Sequence, residues 1–263
     1  MGNPTWCSET KFTDMESRYL NQDELDNKIE TWTSQKTPNE VFEVLQKAGV
    51  DVQFPEGQTC CGQPAFNSGF NSKALDLAHK FLDTFEDSDY VVLPSGSCGS
   101  MIKVFYEDLF KEDPALQKRM QAVAGRTYEF SQFLVNVLGV NDVGASFHGK
   151  ATYHASCHLL RELGATNESI NLMKSVQGLE FIAVENATVC CGFGGTFSVK
   201  YPDISEAMIG KKLDTIQASG ADIVVANDSG CLMQLKGAMG RRKLRTRAVH
   251  LAELLDNKVT ING

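Results

Sequence analysis

The chain has 263 residues, 42% hydrophobic and 22% charged, close to an average globular protein and far from disordered or collagen-like compositions. At this length roughly three quarters of the unfolded surface is buried on folding, so a sizeable core needs no disulfide staples. Lys and Arg number 25 against 33 Asp and Glu, and the net charge of −8 repels a phosphate backbone, which argues against general nucleic-acid binding.

The first stretch, Met1 to Asp14, is polar and has neither the basic nor the apolar region of a signal peptide. No segment reaches the roughly eighteen apolar residues of a membrane helix, so a cytoplasmic location with no transmembrane segment is expected. Residues 1–38 hold no apolar strand and are set apart as a divergent N-terminal segment, followed by two halves at 39–148 and 149–263. The first half opens on Thr59-Cys60-Cys61-Gly62. From Ser72 to Phe85, apolar residues at Ala74, Leu75, Ala78, Phe81, Leu82 and Phe85 recur with a helical period. Tyr90-Val91-Val92-Leu93, bounded by Pro94 and Gly96, is a buried strand, and Cys98 lies just past it.

In the second half Ala151 to Ala155 is a strand, and Cys157 starts a helix that ends at Gly164. A thiol at a helix N-terminus is expected to have a lowered pKa, which readies it for metal. The flanking His154 and His158 can ligate metal or bond a cluster sulfur, though a histidine near a helix start is more often a polar cap. Next comes Cys190-Cys191-Gly192, then a helical period over Ile204 to Ser219 carrying Met208, Ile209, Leu213 and Ile216. The strand Ile223-Val224-Val225-Ala226 leads to Cys231. A basic run from Arg241 to Arg247 most simply forms a solvated face, with docking of an acidic partner the second possibility.

These elements repeat. Cys60 and Cys190 stand 130 residues apart, Cys98 and Cys231 stand 133 apart, and strand, pair and single cysteine keep their order. Helices alternating with buried apolar strands predict an α/β fold of two duplicated halves with mainly parallel sheets and cysteine loops at the strand carboxyl ends. Neighbouring side chains on a regular strand face opposite ways, so each cysteine pair must lie in a turn, for which Gly62 and Gly192 supply the freedom. Cys157, Cys190, Cys191 and Cys231 are thereby expected to converge, and Cys60, Cys61 and Cys98 to form a second set. Soft thiolates restrict the metal to zinc, copper(I) or iron–sulfur, and a vicinal pair suits a multi-iron cluster better than a single tetrahedral ion. The glycines of Gly192-Phe193-Gly194-Gly195 do not make a dinucleotide fingerprint, and no catalytic triad or paired-carboxylate motif is present.

The segments Phe54 to Gly69, Ser95-Gly96-Ser97-Cys98, Ser156-Cys157-His158 and Cys190 to Phe197 resemble the lactate utilisation protein A family. The similarity runs from about Asn39 to Leu255, and its two-copy cysteine-rich CCG domain is also similar to the CCG-bearing component of heterodisulfide reductase and to the iron–sulfur component of glycolate oxidase. The resemblance implies an iron–sulfur electron-transfer subunit, an oxidoreductase component, working with other subunits of a complex that oxidises L-lactate to pyruvate. It implies one or two clusters of the [4Fe-4S] type on Cys157, Cys190, Cys191 and Cys231 and on Cys60, Cys61 and Cys98. Two departures bear on the ligand count. The third element reads Cys98-Gly99-Ser100-Met101 and Cys231-Leu232-Met233-Gln234, where heterodisulfide reductase has Cys-x-x-Cys. The family's N-terminal cysteine falls near Lys28 here, and the available thiol is Cys7, 53 residues before Cys60. Either Cys7 completes the first set, or the first half holds no cluster, or the start of the chain is altered. The other functions compatible with these residues are a zinc-stabilised interaction module and a thiol–disulfide redox protein.

Overall fold

In the computed structural model, the described residues are 37–55 and 57–260. Cys7 and the position near Lys28 lie outside them. The first half contains helices α1 (Thr37–Lys47), α2 (Gln63–Asn67) and α3 (Asn71–Phe85), then strand β1 (Val91–Leu93). Helix α4 (Gly96–Ser100) runs through a π-helical turn, Met101–Phe105, into α5 (Tyr106–Leu109). After α6 (Pro114–Gly125), β2 (Thr127–Glu129) leads into α7 (Phe130–Gln132) and a second π-helical turn, Phe133–Val137. The second half consists of β3 (Ser146–Tyr153), α8 (Cys157–Arg161), α9 (Asn167–Ser175), β4 (Gln177–Phe181), α10 (Phe197–Lys200), α11 (Pro202–Ala218), β5 (Ile223–Ala226), α12 (Ser229–Arg242), β6 (Arg247–His250) and α13 (Leu251–Leu255).

The duplicated α/β architecture expected from the sequence is present. One sheet pairs β1 with β2, the other has the order β4-β3-β5-β6, and every pairing among the described strands is parallel. Register fixes the correspondence of the halves. Leu93 pairs with Glu129 at the ends of β1 and β2, as Ala226 pairs with His250 at the ends of β5 and β6. Helix α3 buries Ala74, Ala78, Phe81 and Leu82, a single stripe at helical spacing, while all four residues of β5 are buried because that strand is central and covered on both faces.

Strand β5 spans the residues expected from its apolar run. The strand expected at 151–155 starts earlier, at Ser146, and ends at Tyr153. Its first half pairs with β4 only, as in Lys150 with Glu180, and alternates exposed with covered residues; from Ala151 onward it also pairs with β5 and is fully buried. The apolar run marks only the doubly flanked part. Tyr90 stays outside β1 as an exposed residue, and α8 stops at Arg161, short of Gly164.

Three apolar clusters hold the fold. One packs Cys61 with Phe81, Leu82, Val91, Met101 and Tyr106 in the first half, and another packs Cys191 and Cys231 with Ile209, Leu213, Val224 and Leu235 in the second. The third joins the halves, with Val44 and Leu45 of α1 and Phe130 and Leu134 packed among Tyr153, Leu172, Val225 and Leu254. Each half therefore buries part of its cysteine set, Cys61 in one and Cys191 and Cys231 in the other, while sharing a common core. No helix among the described residues is long and apolar enough to cross a membrane.

Candidate metal centre

Each unpaired cysteine among the described residues lies just beyond a strand. Cys98 is in α4 after β1, Cys157 opens α8 after β3, and Cys231 is in α12 after β5. Both pairs lie outside helices and strands, as the geometry of adjacent side chains requires. Gly62 and Gly192 have φ of +81° and +82°, and at Gly192 a Cβ would stand 2.8 Å from the Ser205 carbonyl oxygen. The positive φ favours glycine at both turns and the close contact excludes a side chain at Gly192, and the turns bring the pairs down against α3 and α11.

In the second half the four thiols form a connected series. Cys157 bonds Cys190, Cys190 bonds Cys191, and Cys191 Sγ donates to Cys231 Sγ across 3.3 Å. Cys60, Cys61 and Cys98 likewise meet in the first half, with hydrogen bonds from Cys61 to both neighbours. All seven described cysteines are free thiols. The structure thus brings together each set that the spacing predicted.

Among the second-half thiols, Cys190 is the one whose thiolate is favoured. Hydrogen bonds from Cys157 and Cys191 hold its thiol down at about 2, and the Gly192 N–H adds a third bond across 3.3 Å. Cys157 is shifted the other way, upward, because it donates to Cys190 and is partly buried, so the expected depression by the helix terminus is overridden. Cys191 is raised by its bonds to Cys190 and Cys231 and by burial. Cys231 accepts from Cys191, which favours its thiolate, yet burial and the charges of Asp228 and Cys190 leave it raised. Cys61 is raised by its bonds to Cys60 and Cys98 and by burial, and Tyr106, whose hydroxyl donates to the Cys61 carbonyl at 2.8 Å, is raised by burial and by the three nearby thiols. A set of thiols that resists losing all its protons while empty releases them when a metal binds.

The model of the cysteine-rich domain family named CCG matches residues 25–103 and 151–236. The chain is similar to lactate utilization protein A of Shouchella clausii, with 48% identity over 219 residues that cover 83% of this chain and 91% of that protein. It is 46% identical over 216 residues to the protein of that name from Bacillus subtilis and 47% identical over 216 residues to the one from Geobacillus thermodenitrificans, in each case 82% of this chain and 90% of the relative. The chain belongs to the lactate utilization protein A family. Its two copies of the cysteine-rich domain coincide with the two cysteine sets.

Several residues that complete the site carried no signal in the sequence. Asp228 accepts from Gly230 N and Cys231 N through Oδ1 and from Ser97 N and Ser95 Oγ through Oδ2, so one buried carboxylate caps the Cys231 helix and the Cys98 helix together. Gly96 approaches α8 so closely that a Cβ would stand 2.6 Å from that of Leu159, which joins the helices of Cys98 and Cys157. Lys212, 3% exposed on α11, donates to the carbonyls of Asn186 and Ala187 at 2.8 and 2.9 Å and so ties down the loop that leads to Cys190. Burial pulls its amine down to about 8, against the attraction of all four second-half cysteines. The first half has no cation at the corresponding position; its half-buried Lys103 donates instead to the carbonyls of Ala124 and Thr127 at 2.8 and 2.9 Å. Gly62 faces Ala74 and Leu77 as Gly192 faces Ser205 and Met208, and the same 131-residue step takes Phe81 to Lys212.

The histidines separate. His158 Nδ1 lies 3.3 Å from Ser100 Oγ and 3.4 Å from Glu162. His154 does not cap α8, whose N-cap residue is Ser156; it is 1% exposed and burial holds its ring at about 4, hence neutral. One ligand atom each from His154, Cys191 and Cys231 fall within 4.8 Å of one another. Soft sulfur donors, their mutual contact and a buried neutral imidazole fit zinc or an iron–sulfur cluster and not a hard oxygen-seeking cation.

Proposed function

We propose that this chain is an iron–sulfur electron-transfer component of a system that oxidises L-lactate to pyruvate. The observation that carries the proposal is the convergence of Cys157, Cys190, Cys191 and Cys231 at one sheet edge, with Cys60, Cys61 and Cys98 gathered in the same way in the repeat. The lactate role is taken from the names of relatives that align over nine tenths of their length. Partner subunits, a cytoplasmic setting and a [4Fe-4S] cluster type complete the proposal.

When bound, such a cluster supplies one-electron transfer at a potential set by its ligands, their hydrogen bonds and its exposure. In the second half Cys157, Cys190, Cys191 and Cys231 would hold it. The hydrogen bonds from Cys157 and Cys191 favour the thiolate of Cys190, the Gly192 N–H donates to its sulfur, and Lys212 fixes the loop and places a cation beside the cysteines. Ile209, Leu213 and Leu235 pack with Cys191 and Cys231 and keep water from them. In the first half Cys60, Cys61 and Cys98 supply three thiolates, and Tyr106 fixes the Cys61 peptide through its carbonyl. Cys7 is the candidate for a fourth.

One observation favours a zinc-stabilised module instead. His154, Cys191 and Cys231 form a compact nitrogen and sulfur group of the kind zinc takes. Cys157 and Cys190 remain in contact beside it, however, and five donors exceed one tetrahedral ion. Disruption of the gene in its host tests the lactate role. The strain should fail to grow on L-lactate as sole carbon source, grow normally on glucose, and recover with the wild-type gene but not with Cys191→Ser. Undiminished growth on lactate overturns the proposal.

A further inference from the structure

We infer that His154 is a fifth ligand of the second-half metal centre, giving one imidazole nitrogen to a metal ion that it shares with Cys191 or Cys231 of the four-cysteine set. The inference rests on the proposal that this cysteine set holds metal. Three independent features of the structure converge on it. The ligand atoms of the three residues lie within 4.8 Å of one another, and two donors on one ion, with bonds of about 2.1 Å to nitrogen and 2.3 Å to sulfur, stand roughly 3.5–4 Å apart. All three residues are buried, and with one side of the ring turned to the Ala187 carbonyl the other ring nitrogen of His154 has no hydrogen-bond partner, although buried polar atoms are nearly always paired. The backbone aims the ring. His154 N donates to Val225 O at 2.8 Å, which extends the β3–β5 pairing by one residue and delivers the side chain to the edge from which Cys231 also rises.

The surroundings match a metal-bound histidine in a further respect. Such a ring usually gives its second N–H to a carboxylate or backbone carbonyl, which fixes tautomer and orientation. The Ala187 carbonyl faces His154, and it is the same carbonyl that Lys212 Nζ holds at 2.9 Å. His158 offers the contrast, since its Nδ1 is already within reach of Ser100 and Glu162. A neutral nitrogen donor leaves a cluster with less negative charge than another thiolate, which raises its reduction potential.

The test uses the full chain purified anaerobically from a histidine auxotroph grown on 15N-histidine, and reads iron per chain and the pulsed electron paramagnetic resonance spectrum of the reduced protein. The expected result is a strongly coupled histidine nitrogen in the wild type, retained in His158→Asn. In His154→Cys it disappears while iron stays, because a thiolate restores the missing donor, and the midpoint potential falls. Iron present in the wild type with no strongly coupled histidine nitrogen overturns the ligand assignment and leaves the cluster proposal standing. Absence of iron from the anaerobic wild type overturns both.

Discussion

Ser95 Oγ donates to Asp228 Oδ2 at 3.0 Å, and the two residues occupy the same place in the two repeats, each three positions before the single cysteine of its half. The contact lies between the halves, and the carboxylate also accepts from the backbone of Ser97 and of Cys231. The helices that carry Cys98 and Cys231 are therefore fixed to one another by a single buried side chain. A related exchange joins the strand ends, where His250 Nε2 meets the Pro94 carbonyl at 2.7 Å and Asn227 Nδ2 donates to Glu129 Oε1 at 2.8 Å.

Asp228→Ala removes two helix caps at once and leaves Ser95 without its acceptor. With roughly 1 kcal/mol for each cap and somewhat more for a hydrogen bond to a charge, the cost is about 3–4 kcal/mol, against about 1 kcal/mol for Ser95→Ala. Urea unfolding of both single variants and the double variant measures it. The double variant should cost less than the sum of the singles, because Ser95 acts through Asp228.

Gly96→Ala places a methyl group 2.6 Å from Leu159 Cβ, too near for any rotamer change to relieve. Overpacking of this kind costs about 1–3 kcal/mol. Leu159→Ala, a cavity variant by itself, should recover part of the loss when combined with Gly96→Ala, as thermal unfolding would register.

Glu129 and His250 end equivalent strands and respond oppositely to pH. Burial raises the Glu129 carboxyl to about 7 from its ordinary 4.5, despite the bonds from Ser131 and Asn227. The folded protein keeps this proton after the unfolded chain has lost it, so the stability due to Glu129 declines as pH rises from about 4.5 to about 7 and is level above. Burial lowers the His250 ring from 6.5, so its contribution is complete above that pH and is lost as pH falls below it. Glu129→Gln should therefore gain on the wild type by about 3 kcal/mol between pH 4.5 and pH 8, at 1.36 kcal/mol per pH unit. A stability difference that does not vary with pH contradicts this.

Lys212→Met keeps the length of the side chain and removes both its charge and its bonds to Asn186 and Ala187. The midpoint potential of the second-half centre should fall, since a cation beside thiolates favours the more negative, reduced state. Phe81→Met at the equivalent position should leave that potential unchanged. Redox titration followed by electron paramagnetic resonance distinguishes the two.

Much of this arrangement is visible in the residues themselves. The apolar run Ile223 to Ala226 marks β5 to the residue, and the stripes around Ala78 and Ile209 mark α3 and α11, because burial against one neighbour leaves a periodic trace. The Cys-Cys-Gly turns are equally legible, since no regular strand accommodates adjacent inward thiols. What is hidden depends on contacts distant in the chain. Asp228 reads as one more turn residue until Ser97 is found 131 positions away from it. Lys212 reads as a solvated helix position within an apolar stripe, and its burial follows from the Asn186 and Ala187 carbonyls that it satisfies. The charge distribution among the thiols is also tertiary, because Cys157 meets Cys190 only after folding.

The most direct measurement is iron and acid-labile sulfide per chain, with an electron paramagnetic resonance spectrum, on protein purified without oxygen. About four irons and four sulfides per chain accord with one cluster on Cys157, Cys190, Cys191 and Cys231, and about eight of each with both halves filled. Cys191→Ser should remove the second-half signal while leaving the fold in place. A colourless protein that holds zinc and no sulfide contradicts the electron-transfer account.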